Sequence, residues 1–291
     1  MHRSLAAVVM AATLSVSYGA AAQSTVERGK YLVESIMGCG NCHTPQGPNG
    51  PLPGKTLAGG LEFEHPGFFK AYSTNITPDP ETGIGKWTDA QIKVAIREGQ
   101  RPPGLPSGGT LIRPPMPFEL YRGLADADLD AIVAYLRTVP AVKNLAPKST
   151  YAIPLPPSYG PPIDKPIAAP PRSDKLAYGA YLAGPLGHCI ECHTPPAANG
   201  RAQYDTLLGA GGRHFPGPWG LSVAKNITSD PDQGLGKWSD AEIERAIRTG
   251  VDRQGHPLKP PMGFAYYDRI SADDMAALIA YLRSLPPKKT P

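Results

Sequence analysis

Cys39-Gly40-Asn41-Cys42-His43 returns later in the chain, with the same spacing, as Cys189-Ile190-Glu191-Cys192-His193. Two cysteines separated by two residues and followed at once by histidine form the attachment signal for c-type haem. The thiols add to the two porphyrin vinyl groups, and the histidine offers a nitrogen to the iron. The chain has four cysteines, and the two strings use all of them. Cys39, Cys42, Cys189 and Cys192 are therefore read as the attachment points of two covalently bound haem c groups, with His43 and His193 as iron ligands. Other uses of cysteine pairs fit less well. A redox dithiol does not need the histidine. Zinc held by four thiolates usually draws on pairs much closer in sequence than these. A disulfide across a two-residue gap closes a small, strained ring.

The repetition extends well beyond the cysteines. Gly29-Lys30-Tyr31-Leu32 returns as Gly179-Ala180-Tyr181-Leu182, and Asn75-Ile76-Thr77 as Asn226-Ile227-Thr228. Gly83-Ile84-Gly85-Lys86-Trp87 returns as Gly234-Leu235-Gly236-Lys237-Trp238, Pro115-Met116 as Pro261-Met262, and Tyr135-Leu136-Arg137 as Tyr281-Leu282-Arg283. The order is unbroken, so the chain reads as one domain written twice. Between the copies, Pro140 to Pro171 holds ten prolines in 32 residues. Proline fixes φ and lacks an amide donor, which excludes a regular helix there. Interspersed Tyr151, Ile153, Leu155, Tyr159 and Ile163 suggest a semi-rigid strap lying across both domains. The expected layout is a signal segment over 1–22, a domain over 23–139, a connector over 140–172 and a second domain over 173–291.

Each copy carries three helix signatures. Ser24-x-x-Glu27, Thr88-x-x-Gln91 and Ser239-x-x-Glu242 are capping boxes. Ile92, Ala95 and Ile96, like Ile243, Ala246 and Ile247, make an apolar stripe at helical spacing. Leu129, Ile132, Val133 and Leu136 repeat that spacing in the last helix of the first copy. Met275, Leu278, Ile279 and Leu282 do so in the second, behind Ser271-x-x-Asp274. The 35 prolines and 32 glycines point to short helices joined by loops, with little sheet.

These features resemble the class I cytochrome c domain. The resemblance implies an all-α fold of two tandem domains, in which the first and last helices of each cross closely. It places a glycine of the first helix against an aromatic of the last, here Gly29 with Tyr135 and Gly179 with Tyr281.

The sixth iron ligand needs a separate reading. A thioether raises the potential and closes the iron, which suits electron transfer. Met1 and Met10 belong to the N-terminal segment, Met37 lies too close to Cys39, and Met275 fills a core slot. Met116 and Met262 remain, each behind a proline pair and each trailed by a phenylalanine. They also stand where class I cytochromes place their methionine. His65 and His214 are read as haem-edge or structural residues; His188 sits directly before Cys189, on the proximal side, and the first copy has no counterpart of His256. Trp87 and Trp238 are expected to pack near the haems, and Asn75 and Asn226 to form structural turns near a propionate.

The N-terminus carries Arg3, an apolar run over Leu5–Val16 and small residues before Gln23, the layout of a secretory signal too short to span a bilayer. Cleavage after Ala22 leaves 28 basic against 25 acidic residues, a formal charge of +3. So mild a balance gives no argument for nucleic acid or an anionic membrane. The remaining chain is expected to hold no transmembrane stretch, and the resemblance to bacterial c-type cytochromes implies export to the periplasm.

The paired Cys-x-x-Cys-His-Thr-Pro strings, the Asn-Ile-Thr and Gly-Lys-Trp loops and the Pro-Pro-Met segments resemble the cytochrome c subunits of periplasmic alcohol, aldehyde and gluconate dehydrogenases. That resemblance implies an electron-transfer protein rather than an enzyme. Its donor would be a dehydrogenase, and its acceptor a quinone, small cytochrome or oxidase. The alternative is a dihaem enzyme of the peroxidase or thiosulfate-oxidising type. The first needs a sixth site that opens, and the second needs a spare cysteine.

Overall fold

The structure, a computed structural model, describes residues 23–65, 67–103, 115–152, 158–198, 200–217 and 219–291. The signal segment, Pro114, Ile153 and Leu155 lie outside the described residues. In the first copy the helices are α1 (Thr25–Glu34), α2 (Cys39–His43), α3 (Asp89–Glu98), α4 (Phe118–Tyr121) and α5 (Asp126–Leu136). In the second they are α6 (Lys175–Tyr181), α7 (Cys189–Cys192), α8 (Tyr204–Leu207), α9 (Asp240–Thr249), α10 (Phe264–Tyr267) and α11 (Ala272–Ser284). A wider helical turn over Leu182–Leu186 follows α6 and contains Pro185.

The capping residues form as the pattern predicts. Ser24, Thr88 and Ser239 each accept from the third residue's amide, while Glu27, Gln91 and Glu242 reach back. Gly99 and Gly250, both left-handed at φ +69 and +68, end α3 and α9. The first helix stops at Glu34, short of the haem motif, and a separate short helix carries the cysteines.

The first and last helices of each copy cross at a glycine. A Cβ on Gly29 would lie 1.8 Å from the Ala131 carbonyl oxygen and 2.8 Å from Tyr135 Cβ. On Gly179 it would lie 2.1 Å from the Ala277 oxygen and 2.7 Å from Tyr281 Cβ. Only a missing side chain permits that approach. Leu32, Leu129, Leu182 and Leu278 are among the buried residues of a single apolar core that runs through both copies.

The fold is not all-α, and the sequence expectation is corrected here. Antiparallel hairpins fill the stretch between each attachment motif and its Asn-Ile-Thr segment. A small ladder, β1 (Gln46–Gly47) with β2 (Gly50–Pro51), comes first. Then β3 (Glu62–His65) pairs with β4 (Phe69–Tyr72), and β5 (Thr150–Tyr151) of the connector adds to β4. In the second copy β6 (His214–Gly217) pairs with β7 (Gly220–Val223). Strands of two to four residues are too short to display a period of two, so their glycines and prolines read as loop.

The described part of the connector is tied down at several points. Tyr159 stacks on Phe118 with ring centroids 4.8 Å apart. Asp126 N–H donates to the Ile167 carbonyl at 2.9 Å, and Ile167 N–H to the Asp126 carboxylate at 3.0 Å. Arg172 reaches the second copy and pairs with Asp274 of α11 at 2.6 Å.

Two tyrosines lock the copies together reciprocally. Tyr31 of α1 accepts from Ser271 N–H at 3.1 Å and donates to Asp274 at 2.8 Å. Tyr181 of α6 accepts from Ala125 N–H at 3.0 Å and donates to Asp128 at 2.8 Å. Ser271 and Ala125 are the N-caps of α11 and α5. In each, the other copy's phenol sits between the cap amide and the carboxylate three residues on, where a capping box would join them directly. Among the described residues no helix is long and apolar enough to cross a membrane.

Candidate haem-binding site

The attachment histidines are held identically. His43 Nδ1 lies 2.8 Å from the Thr74 carbonyl oxygen, and His193 Nδ1 lies 2.6 Å from that of Lys225. A carbonyl only accepts, so Nδ1 must carry the proton and Nε2 is left with its lone pair for a metal. Burial depresses both imidazole pKa values, partly offset by the bond to the carbonyl. Burial is the larger of the two, and the net depression favours the neutral ring that a metal needs.

The carbonyls are positioned by the repeated Asn-Ile-Thr segments. Asn75 accepts from Thr77 N–H at 2.9 Å and from the Thr77 hydroxyl at 2.7 Å, and donates to the Val142 carbonyl at 2.7 Å. Asn226 accepts from Thr228 N–H at 2.9 Å and its hydroxyl at 2.6 Å, and donates to the Lys288 carbonyl at 2.7 Å. Each asparagine thus forms a turn and ties it to the chain leaving the last helix. Its side chain is engaged by protein groups, not reserved for a propionate.

Gly59 and Gly211 bring this segment against the histidine loop. Their amides donate to the carbonyls of His43 and His193 at 2.7 and 2.8 Å. A Cβ on Gly59 would lie 2.4 Å from the Thr74 carbonyl carbon, and one on Gly211 2.6 Å from Asn226 N. Both glycines are left-handed, at φ +72 and +74. The Gly209–Gly212 patch therefore serves a close backbone approach.

One continuous cavity of about 3540 Å³ runs past both motifs. In the first copy Cys39, Cys42, His43 and Met116 line it. In the second Cys189, Cys192, His193 and Met262 do so. The structure thus brings all eight sequence-predicted residues to one space. The methionines sit just before α4 and α10, where their carbonyls accept from Phe118 and Phe264 N–H at 3.0 and 3.1 Å. No disulfide joins any of the four cysteines. Burial pushes the Cys39 and Cys192 thiols up to about 12 and those of Cys42 and Cys189 up to about 11.

Trp87, Trp238, His65 and His214 also line the cavity. Trp87 Nε1 is buried and has no hydrogen-bond partner among the described residues. A buried donor left unpaired is costly, and an acceptor on a bound group would relieve it. That orphan donor, the paired thiols and the histidines with Nε2 free together fit a porphyrin carrying carboxylates.

Sequence reasoning missed two supports. Arg137 donates to the Ile84 carbonyl at 3.2 Å and to that of Trp87, and pairs with Asp89 at 2.8 Å. Arg283 does the same to Leu235 at 2.9 Å, to Trp238, and to Asp240 at 2.9 Å. The repeated Leu-Arg dipeptides were the available signal. Thr74 and Lys225 gave none, because a backbone carbonyl is the same in every residue.

The family model described as cytochrome c matches residues 26–140 and 177–286. The chain is 33% identical to the cytochrome c subunit of a quinone alcohol dehydrogenase from Gluconobacter oxydans, covering 94% of this chain and 58% of that protein. It is 33% identical to the fructose dehydrogenase cytochrome subunit of Gluconobacter japonicus, covering 91% and 53%. It is 31% identical to the gluconate 2-dehydrogenase cytochrome c subunit of Pantoea cypripedii, covering 99% and 66%. The chain thus spans roughly half to two thirds of the length of these relatives. Their names agree with the resemblance to dehydrogenase cytochrome subunits read from the motifs. With matches that span both halves, and the site each half builds around its Cys-x-x-Cys-His string, the chain belongs to the cytochrome c family, whose members carry covalently bound haem c.

Proposed function

We propose that this chain is a periplasmic electron carrier with two haem c groups, taking electrons from a dehydrogenase and passing them to a respiratory acceptor, whether quinone, small cytochrome or oxidase. One observation carries this reading. Both copies commit the histidine Nδ1 to a backbone carbonyl and set a methionine on the wall of the same cavity. Cys39 and Cys42 would hold one porphyrin and Cys189 and Cys192 the other. His43 with Met116, and His193 with Met262, would complete the two coordination spheres.

Haem iron supplies a one-electron couple when bound, and the protein tunes it through ligands, polarity and access. The chain's own residues do the remaining work. Thr74 and Lys225 fix the imidazoles, the proline-led segments present the thioethers, and Ile92, Ile132 and Leu136 keep water from the first site. With Met116 and Met262 as ligands, neither iron would keep an open place for a small-molecule substrate, as suits a carrier. The dehydrogenase donor is supported by the names of the relatives, and export by the N-terminal segment.

The mature protein purified from periplasm should weigh two haems more than its polypeptide and show the near-infrared absorption of thioether-bound ferric iron. Met116→Ala and Met262→Ala should each remove about half of that band. Rapid cyanide binding by the wild type, or turnover of peroxide or thiosulfate, would replace the carrier reading with a catalytic one.

A further inference from the structure

The attachment segment of the first copy rests on the methionine segment of the second. Asn41, between Cys39 and Cys42, donates from Nδ2 to the Pro261 carbonyl at 3.0 Å. Pro261 immediately precedes Met262. The approach depends on Gly40, where a Cβ would lie 2.4 Å from the hydroxyl oxygen of Tyr266 on α10. Gly38, left-handed at φ +54, stands 3.4 Å from Tyr266 Cβ by the same measure. From the other side, a Cβ on Gly263 would come 3.5 Å from Asn41 Cγ. The residues flanking Met262 on both sides therefore touch the Cys39–Cys42 segment.

The reverse contact is built differently. The counterparts of Gly40 and Asn41 are Ile190 and Glu191. Isoleucine fills the space that glycine leaves open, and glutamate has no N–H to offer a carbonyl. The methionine segment of the first copy instead meets the second through the Tyr121 ring, edge-on to His188 at 6.1 Å. Near it, a Cβ on Gly123 would come 2.8 Å from Pro185 Cγ.

We propose that Asn41 is a positioning residue for Met262. Through the Pro261 carbonyl it holds the ligand-bearing segment of the other copy, so the attachment segment of the first haem site steadies the methionine of the second. This rests on the reading of Met262 as an axial ligand. The proline at 261 has a fixed φ, so pinning its carbonyl restricts the residue that follows. Without the Asn41 bond the segment should swing away more often, exposing the iron to an added ligand.

The test uses the full-length ferric holoprotein and exogenous imidazole, which displaces the thioether by forming an Fe–N bond as the Fe–S bond breaks, with no change of oxidation state. In a Met116→Ala background the near-infrared band reports Met262 alone, and in a Met262→Ala background it reports Met116 alone. Asn41→Ala and the equal-sized Asn41→Asp, which lacks the N–H, should speed displacement at Met262 roughly two- to twelvefold, the range for one lost hydrogen bond. They should leave Met116 unchanged. Asn41→Gln keeps the donor and should recover part of the wild-type rate. If alanine impairs haem loading, Asn41→Asp carries the test. Unchanged rates at Met262, or equal acceleration at both sites, would overturn the proposal while leaving the carrier reading intact. If the Met116→Ala protein has no near-infrared band, the ligand assignment itself has failed, and the positioning role with it.

Discussion

Replacing Tyr31 or Tyr181 with phenylalanine removes one oxygen from the junction between the copies, and the two losses should differ. Tyr31 donates at 2.8 Å to Asp274, whose side chain is fully buried and keeps Arg172 at 2.6 Å. Its other bond, at 3.1 Å, is to an amide that water can reach. Losing one bond to a charged acceptor costs about 1.5–3 kcal/mol, and a water-facing amide adds little, so Tyr31→Phe should cost about 2 kcal/mol. Tyr181 donates at 2.8 Å to Asp128, which keeps a two-pronged contact with Arg28 at 2.8 and 3.1 Å. Its second partner is the buried amide of Ala125, a cap residue with no side-chain oxygen. Stranding that donor adds a further desolvation cost, bringing Tyr181→Phe to about 3 kcal/mol. At about 2–4 °C per kcal/mol for a protein of this size, Tm should fall by about 4–8 °C and 6–12 °C respectively. Thermal unfolding of the holoprotein, followed by far-ultraviolet dichroism and by the haem absorbance of each copy, measures both shifts. The single core shared by the copies predicts one transition, not two. Shifts below about 1 °C for both variants, or a larger loss from Tyr31→Phe than from Tyr181→Phe, would refute this account of the junction.

Gly29→Ala and Gly179→Ala place a methyl within 1.8 and 2.1 Å of a carbonyl oxygen on the crossing helix. Each should cost about 3 kcal/mol or more, seen as a steep fall in holoprotein yield and urea midpoint. Asp79 and Asp230 have carboxyl pKa values held below the ordinary range, Asp79 first by the Thr82 hydroxyl and Asp230 first by the Gln233 amide. A depressed folded-state value means the unfolded chain takes up protons first. The stabilisation is therefore complete above about pH 4 and lost as pH falls through the folded values. Asp79→Asn and Asp230→Asn should be less stable at pH 7 and flatten the stability profile below pH 4, as urea midpoints across pH would record. Asn75→Ala breaks three bonds of 2.7–2.9 Å at a buried position and loosens the carbonyl that orients His43. It should lower Tm by several degrees and broaden the low-spin ferric electron paramagnetic resonance signal of the first site, where a purely distant effect would leave the signal sharp.

By itself the sequence pointed to the atoms that would meet iron and to two places for it. Cysteines two residues apart, histidine next in line and a methionine behind paired prolines are local patterns, and their chemistry does not depend on the rest of the fold. Helix starts were equally legible, because a capping box is settled within four residues. The hairpins were not. Strands as short as Glu62–His65 show no period, and what makes them strands is a partner brought back across a turn. The tertiary structure alone decided that Tyr31 and Tyr181 cap each other's copies, that Thr74 and Lys225 supply the carbonyls, and that Asn41 belongs to the Met262 segment 220 residues away. Each of these joins a group common to every residue, or a ubiquitous side chain, to a distant point of the chain, and no local composition encodes such a distance.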